Sequence, residues 1–190
     1  MILLKIVLSI VFIFLACNVL YMLVFSIAGV LRRKKEYPPM GDKSKIAVFI
    51  PAYAEDGVIP DTALNAKQHN YPPDKFEVFV IADKLKPETM EKLHQLNVSV
   101  IPVQFEKSTK ARSLRYALQQ IPENQFDIAI ILDADNVMEP GCLEKVNTAF
   151  HSGFRMVQLH RCAKNINTPT AVLDAISEEI NNHIFRQGHR

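Results

Sequence analysis

Tryptophan is absent from the 190 residues, and cysteine occurs only at Cys17, Cys142 and Cys162. Three widely spaced cysteines offer neither a zinc-site spacing nor a disulfide framework. That usage suits a reducing compartment. Glycine is scarce as well, with six residues, and no Gly-x-Gly-x-x-Gly or Gly-Lys-Ser/Thr loop occurs. The usual dinucleotide fingerprint and the P-loop are thereby excluded. No Gly-x-Ser-x-Gly elbow is present either. His69, His94, His151, His160, His183 and His189 show no clustered ligand spacing. An excess of positive charge is also missing. The net charge is +2, but Lys5 and Arg32-Arg33-Lys34-Lys35 hold five of the 22 basic residues, and Glu36 is one of the 20 acids. From Tyr37 onward 17 basic residues face 19 acidic ones. Nucleic-acid binding needs a basic face that releases counterions, so no nucleic-acid partner is expected.

What the sequence does have begins with a long apolar run. Ile6 to Leu31 is broken only by Ser9, Asn18, Ser26 and Gly29. Twenty-six residues as a helix reach roughly 39 Å, enough to cross a hydrocarbon core with some tilt. A cleaved leader has a shorter apolar stretch with its charge in front. Here the four basic residues follow the run, which predicts a retained anchor with the rest of the chain in the cytoplasm. Residues 1–31 are therefore expected to be a transmembrane anchor. Residues 32–45, basic and carrying Pro38, Pro39 and Gly41, read as a linker.

From residue 46 to 190 a rhythm of short apolar runs and helical stretches follows. The runs are Ile46–Ile50, Phe76–Ala82, Val98–Val103, Ile128–Leu132 and Met156–Leu159. Between them Val58–His69, Lys86–Leu96, Ser108–Gln120 and Gly141–His151 read as helices, the third with Leu114, Ala117 and Leu118 on one side. Strands apolar on both faces and separated by helices predict a doubly wound α/β fold around a parallel sheet. Ligands of such sheets bind beyond the carboxyl ends of the strands.

The residues at those ends carry the chemistry. After the first run stand Pro51, Ala52, Tyr53, Ala54 and Glu55; after the second, Asp83; after the third, a loop leading to Lys110; after the fourth, Asp133-Ala134-Asp135. If strand geometry continues for two residues, Asp133 and Asp135 project to one side. Two carboxylates so placed can hold a divalent cation whose shell is completed by substrate phosphates. The same residues also suit a turn, or a cap for the helix near Pro140. Asp83 could accept hydrogen bonds from a base or ribose, or cap a helix. Lys110 could neutralise phosphate beside a helix capped by Ser108 or Thr109, or stand free in solvent. Glu55-Asp56 could be a helix start.

In order, Ile46-Ala-Val-Phe-Ile-Pro-Ala-Tyr-Ala-Glu55, Val80-Ile-Ala-Asp83, Lys110-Ala-Arg-Ser-Leu-Arg-Tyr-Ala-Leu118 and Ile131-Leu-Asp-Ala-Asp135 resemble the N-terminal half of a family 2 glycosyltransferase of GT-A fold. The resemblance covers about residues 45 to 190. With the anchor it extends to membrane enzymes that make cellulose, hyaluronan and other exported polysaccharides. It implies a UDP-sugar donor, a glycan or lipid-linked acceptor, an inverting transfer, and a place in the plasma or inner membrane. Pro51, Ala52, Tyr53 and Glu55 would form the first loop around the nucleotide. Asp83 would contact the uracil or ribose, Lys110 the nucleotide or its phosphates, and Asp133 the ribose or sugar, with Ala134 between the two acids. Asp135 would coordinate Mn²⁺ or Mg²⁺ bridging the diphosphate.

Two positions depart from the family pattern: Ala54 stands where Asn is common, and Ala111 where Gly is common. The family's catalytic base and its later Gln/Arg-x-x-Arg-Trp motif are expected beyond Arg190. Gln158 and Arg161, at the fifth run, are expected to be structural. Two alternatives stay open: a catalytically silent nucleotide-binding membrane partner, and an unrelated Mg²⁺-binding signalling module of the same fold class.

Overall fold

The computed structural model describes residues 1–31, 38 and 41–187. The basic run Arg32–Lys35 and most of the expected linker lie outside them. The chain divides into two units, Tyr37–Val157 and a second that joins Met1–Glu36 to Gln158–Arg190.

Among the described residues the first unit holds four parallel strands: β1 (Ile46–Tyr53), β2 (Phe76–Asp83), β3 (Ser99–Val103) and β4 (Ile128–Ile131). Their order is β3-β2-β1-β4. Along β1 the side chains alternate between two cores, as the period of two requires. Ile46, Val48, Ile50 and Ala52 face one core, which also takes in Ile59, Leu93 and Leu143. Ala47 and Phe49 face the other, with Phe79, Ile81 and Ala117. The helices supplying these residues are α2 (Ile59–Lys67), α3 (Pro87–Gln95) and α5 (Cys142–His151) on the first side and α4 (Lys110–Gln120) on the second. The sheet is thus covered on both faces, as the apolar runs predicted. Leu118, expected on the buried side of α4, is instead 54% exposed, and Ser113 is buried. The buried face of α4 lies about one residue back from the expected one.

Pro51 explains where the sheet opens. The Leu132 N–H donates to the Phe49 carbonyl at 2.9 Å. In a parallel ladder the next donor on that edge of β1 is two residues on. That residue is Pro51, which has no N–H. The β1–β4 register accordingly stops at Phe49 opposite Ile131, while β1 stays paired with β2 as far as Tyr53 opposite Asp83. Beyond Leu132 the chain is free to turn away from β1. β1 and β4 are also where the strand order reverses, because the connection from β3 returns across β2 and β1. An open α/β sheet binds its ligands at that crevice.

Buried polar groups fix the entry to β1. Asn147 on α5 is fully buried; its Oδ1 accepts from the Ser44 N–H at 3.0 Å and its Nδ2 donates to the Asp42 carbonyl at 2.8 Å. The Tyr71 hydroxyl donates to the Ser44 carbonyl at 2.8 Å, and burial pushes its pKa up to about 12.

In the second unit α1 (Ile2–Leu31) starts four residues earlier than the apolar run suggested. It is long and apolar enough to cross a membrane. The mid-span Asn18 donates to the Phe14 carbonyl of its own helix at 2.8 Å, so its amide is satisfied without a partner helix. α6 (Pro169–Ile180) is capped by Thr168, whose hydroxyl accepts from the Ala171 N–H at 3.1 Å, and runs into a π-helical stretch, Asn181–Gln187. The fifth strand expected at Met156–Leu159 does not form. The boundary between the units falls inside that run, and Met156 is 91% exposed. A strand needs a ladder partner, and a run of four residues cannot supply one.

Candidate active site

The rim at the carboxyl ends of β1, β2 and β4 gathers most of the residues singled out above. Asp83 closes β2 and is 2% exposed, and among the described residues neither carboxylate oxygen has a hydrogen-bond partner. A buried ion without a partner is costly. The two oxygens can therefore accept from a donor that arrives from outside. Opposite it in the β1–β2 register stands Tyr53, half exposed, whose hydroxyl accepts from Lys84 Nζ at 3.0 Å. The same ammonium lies 5.0 Å from the centre of the Tyr53 ring, within cation–π range.

The backbone here is bent to fit. Ala54 has φ +52° and Lys84 φ +56°, the left-handed region that disfavours side chains other than Gly, Asn and Asp. The Ala54 N–H donates to the Asp83 carbonyl at 2.9 Å, tying the two bends together. Glu55 and Asp56 stand in the turn that enters α2, the Glu55 carbonyl accepting from the Val58 and Ile59 N–H groups at 3.2 and 3.1 Å, but the Asp56 side chain does not cap that helix. The Asp56 carboxylate accepts from the Lys86 N–H at 2.8 Å and from Thr89, capping α3 from a distant loop. These bonds lower its pKa, the Thr89 bond most.

On the other side of β1 the Asp133–Asp135 pair is held by a turn, not by an extended strand. β4 ends at Ile131, and the Asn136 N–H donates to the Asp133 carbonyl at 3.0 Å. The expected projection from a continuing strand is therefore corrected. Pro51 ended the ladder that would have kept the segment extended. The turn and the cluster of acids nevertheless coexist. The Glu55 carboxyl is raised in pKa by burial first, then by the charge of Asp135 and then of Asp133. Lys110, the first residue of α4, forms an ion pair with Asp133. Thr109 rather than Ser108 caps that helix, its hydroxyl accepting from the Arg112 N–H at 3.3 Å. Ala134 is buried between the two acids, and its carbonyl accepts from the Thr62 hydroxyl at 2.6 Å.

Thr62, Asn65, Lys84 and Asn136 were not legible as site residues in the sequence. Asn65 Oδ1 accepts from the Met138 N–H at 3.1 Å, so α2 pins the acidic turn at two points. Thr62 and Asn65 are three apart on one helix, a spacing that puts both polar side chains on one face. Gln158 and Arg161 lie in the second unit, where the Arg161 carbonyl accepts from Asn182 Nδ2 at 2.8 Å.

Among the described residues no three His, Cys, Asp or Glu side chains form a ready cage for a metal. The donors on this rim are hard carboxylate oxygens that repel one another. They fit a hard divalent cation that shares its shell with phosphate, not one held by protein alone.

The profile of the family described as glycosyltransferase-like family 2 matches residues 43–187. The chain belongs to that family. No curated protein matches it. Among solved structures, the fold resembles the mannosyltransferase PcManGT from Pyrobaculum calidifontis, determined with GDP-Man and Mn²⁺. The TM-score is 0.61 at 21% identity, covering 74% of this chain and 43% of the other. TarS residues 1–349 from S. aureus match at a TM-score of 0.46 and 15% identity, covering 64% and 40%. The chain thus spans less than half the length of either structure. A GT-A fold is what the four strands and their flanking helices form.

Proposed function

We propose that this chain is the donor-binding part of a membrane-anchored, inverting glycosyltransferase that takes a UDP-sugar and a divalent cation. The acceptor is a glycan or a lipid-linked glycan of the cell envelope or an exported polysaccharide. The anchor is α1 in the plasma or inner membrane, and residues 46 onward face the cytoplasm, on the argument from the basic run after the span. The observation that carries the reading is the sealed, unpartnered carboxylate of Asp83 on the rim of a family 2 fold.

On this reading Asp83 accepts hydrogen bonds from the uracil or ribose. Pro51, Ala52, Tyr53 and Glu55 wall the nucleotide. Lys110 leaves Asp133 for the phosphates, and Asp133 turns to the ribose or sugar. Asp135 would hold Mn²⁺ or Mg²⁺, which when bound offsets charge on the departing diphosphate. The rim acids bind and orient the donor, and none of them is assigned as the base that deprotonates the acceptor.

The test is calorimetric titration of the full chain with UDP in the presence of Mn²⁺, with GDP as competitor. Asp83→Ala should weaken UDP binding by about 1.5–3 kcal/mol, the worth of a charge-assisted hydrogen bond. Unchanged affinity would make Asp83 a plain rim residue. Tighter binding of GDP would replace the base in the proposal and leave the site standing.

A further inference from the structure

The second unit carries an apolar stripe with no role in donor binding. On α6, Leu173, Ile176 and Ile180 are 67%, 51% and 49% exposed. Their spacing of three and four puts them on one face of the helix. The opposite face is engaged within the unit. Glu178 lies 3.8 Å from Arg161 Nη1 and 3.7 Å from Arg186 Nη1. Asn182, which follows α6, is buried and donates to the Arg161 carbonyl. The stripe is therefore turned away from the side of α6 that meets Arg161 and Arg186.

That segment is fastened to the last turns of α1. His183 Nε2 donates to the Ser26 carbonyl at 3.0 Å, and Gln187 Nε2 donates to the Gly29 carbonyl at 3.1 Å. Gly29 O is one of the carbonyls a helix end leaves without an internal partner. Gly29 is also where the close approach is made. A Cβ there would meet the His183 ring at 2.9 Å and its backbone carbonyl at 3.0 Å. When α1 crosses a bilayer, its last turns sit at the boundary between acyl chains and headgroups. Whatever is bolted to those turns is held at that depth.

We infer that the α6 stripe lies in the lipid boundary, so that α6 and the π-helical stretch form a membrane-surface collar locked to the span through the Gly29 notch. The occupant is lipid, not protein, because the fastening point fixes the stripe beside the bilayer. The contact is apolar: the stripe residues carry no charge, and binding should not depend on anionic lipid. The inference rests on the reading of α1 as a membrane span.

The test uses the full chain in phosphatidylcholine vesicles, with its three cysteines replaced by Ala. Single cysteines at Leu173, Ile176 or Asp174 carry an environment-sensitive fluorophore, and nitroxide-bearing lipid is the quencher. Labels at Leu173 and Ile176 should lose roughly half or more of their emission, as expected about 5–10 Å into the boundary. The label at Asp174 should lose little. Gly29→Leu should abolish the quenching at Leu173 while the protein still resists carbonate extraction. Extraction of the unmutated chain by carbonate would remove the span and this inference together. Retention of the chain with unquenched Leu173 and Ile176 labels would overturn the collar alone. Cross-linking to a second copy through those cysteines would then make protein the occupant. Quenching that survives Gly29→Leu would overturn the notch as the lock.

Discussion

At the end of β2 the Asp83 carboxylate is sealed from solvent with no bond to either oxygen. At the end of β4, on the far side of β1, the Asp133 side chain is 43% exposed and paired with Lys110. Two strand spacings, about 10 Å, separate these ends. The first acid is fixed by the sheet: β2 is held on both sides, by Tyr53 of β1 and Val103 of β3, up to Asp83 itself. The second acid stands on a turn that begins where Pro51 cannot continue the ladder. One end of the rim is held by the sheet with its acceptor capacity unused. The other is neutralised by a lysine that solvent and ligand can both reach. A nucleotide meets both kinds of need at once, with neutral hydrogen-bond donors on its base and ribose and a charged diphosphate.

The largest expected effect separates the two ends by charge. UDP brings two to three negative charges toward Glu55, Asp133 and Asp135, and Lys110 balances only part of them. Replacing Mn²⁺ with EDTA should lower UDP affinity by on the order of a hundredfold, about 2.7 kcal/mol. Asp135→Ala should remove most of that difference. Asp135→Asn should lose nearly as much, because the ligand charge is gone. Equal affinity of the unmutated chain in both buffers would leave Asp133–Asp135 as a turn and nothing more.

The next effect should appear at Asp83 and run against its binding role. Asp83→Asn removes a buried carboxylate that has no hydrogen-bond partner among the described residues, so the ligand-free protein should gain stability, by about 1–3 kcal/mol. Denaturant midpoints measured without nucleotide check this. Loss of stability in Asp83→Asn would mean that a protein donor satisfies the carboxylate.

Most of this fold could be read in advance because its signals are local. Ile46–Ile50 and Val78–Ala82 are apolar on both faces, and only a covered parallel sheet buries such runs. The acids at their ends were found by topology, since strand ends are where ligands bind. Local signals failed where a segment depends on a distant partner. Met156–Leu159 has the composition of a strand, but pairing is not encoded within four residues. The geometry of Asp133–Asp135 depended on Pro51, 82 positions earlier in the chain, closing a ladder. Asp56 stands in the turn that enters its own helix, but its side-chain bonds go to Lys86 and Thr89 of another.

A smaller effect belongs to the bend beside Asp83. Ala54 holds φ +52°, where a Cβ crowds the following carbonyl at a cost of roughly 1–2 kcal/mol. Asn bonds locally and tolerates that region, which gives a physical reason for Asn at the matching place in the family. Ala54→Asn should raise stability by about 0.5–1 kcal/mol and leave the Ala54–Asp83 backbone bond in place. A fall in the thermal midpoint would show that the site lacks room for the amide.

The smallest expected effect tests whether Glu55 belongs to the exposed end of the rim. Its folded-state pKa is raised above the ordinary 4.5 by burial and by the charges of Asp135 and Asp133. A carboxyl with a raised folded pKa binds its proton more tightly in the native state than in the unfolded one. Stability therefore falls as pH climbs from about 4.5 through the raised folded value. Above that window the charge on Glu55 is a net cost to the fold. Glu55→Gln should flatten the pH dependence across that window and raise the thermal midpoint slightly at pH 7. Screening by solvent keeps the gain small, because the group is only partly enclosed. The gain should shrink when Mn²⁺ is added, since a cation among the three carboxylates removes the repulsion that Gln removes. An unchanged pH slope in Glu55→Gln would place Glu55 outside the acidic cluster. A gain that Mn²⁺ does not reduce would mean that burial alone, not the charge of Asp135 and Asp133, governs this side chain.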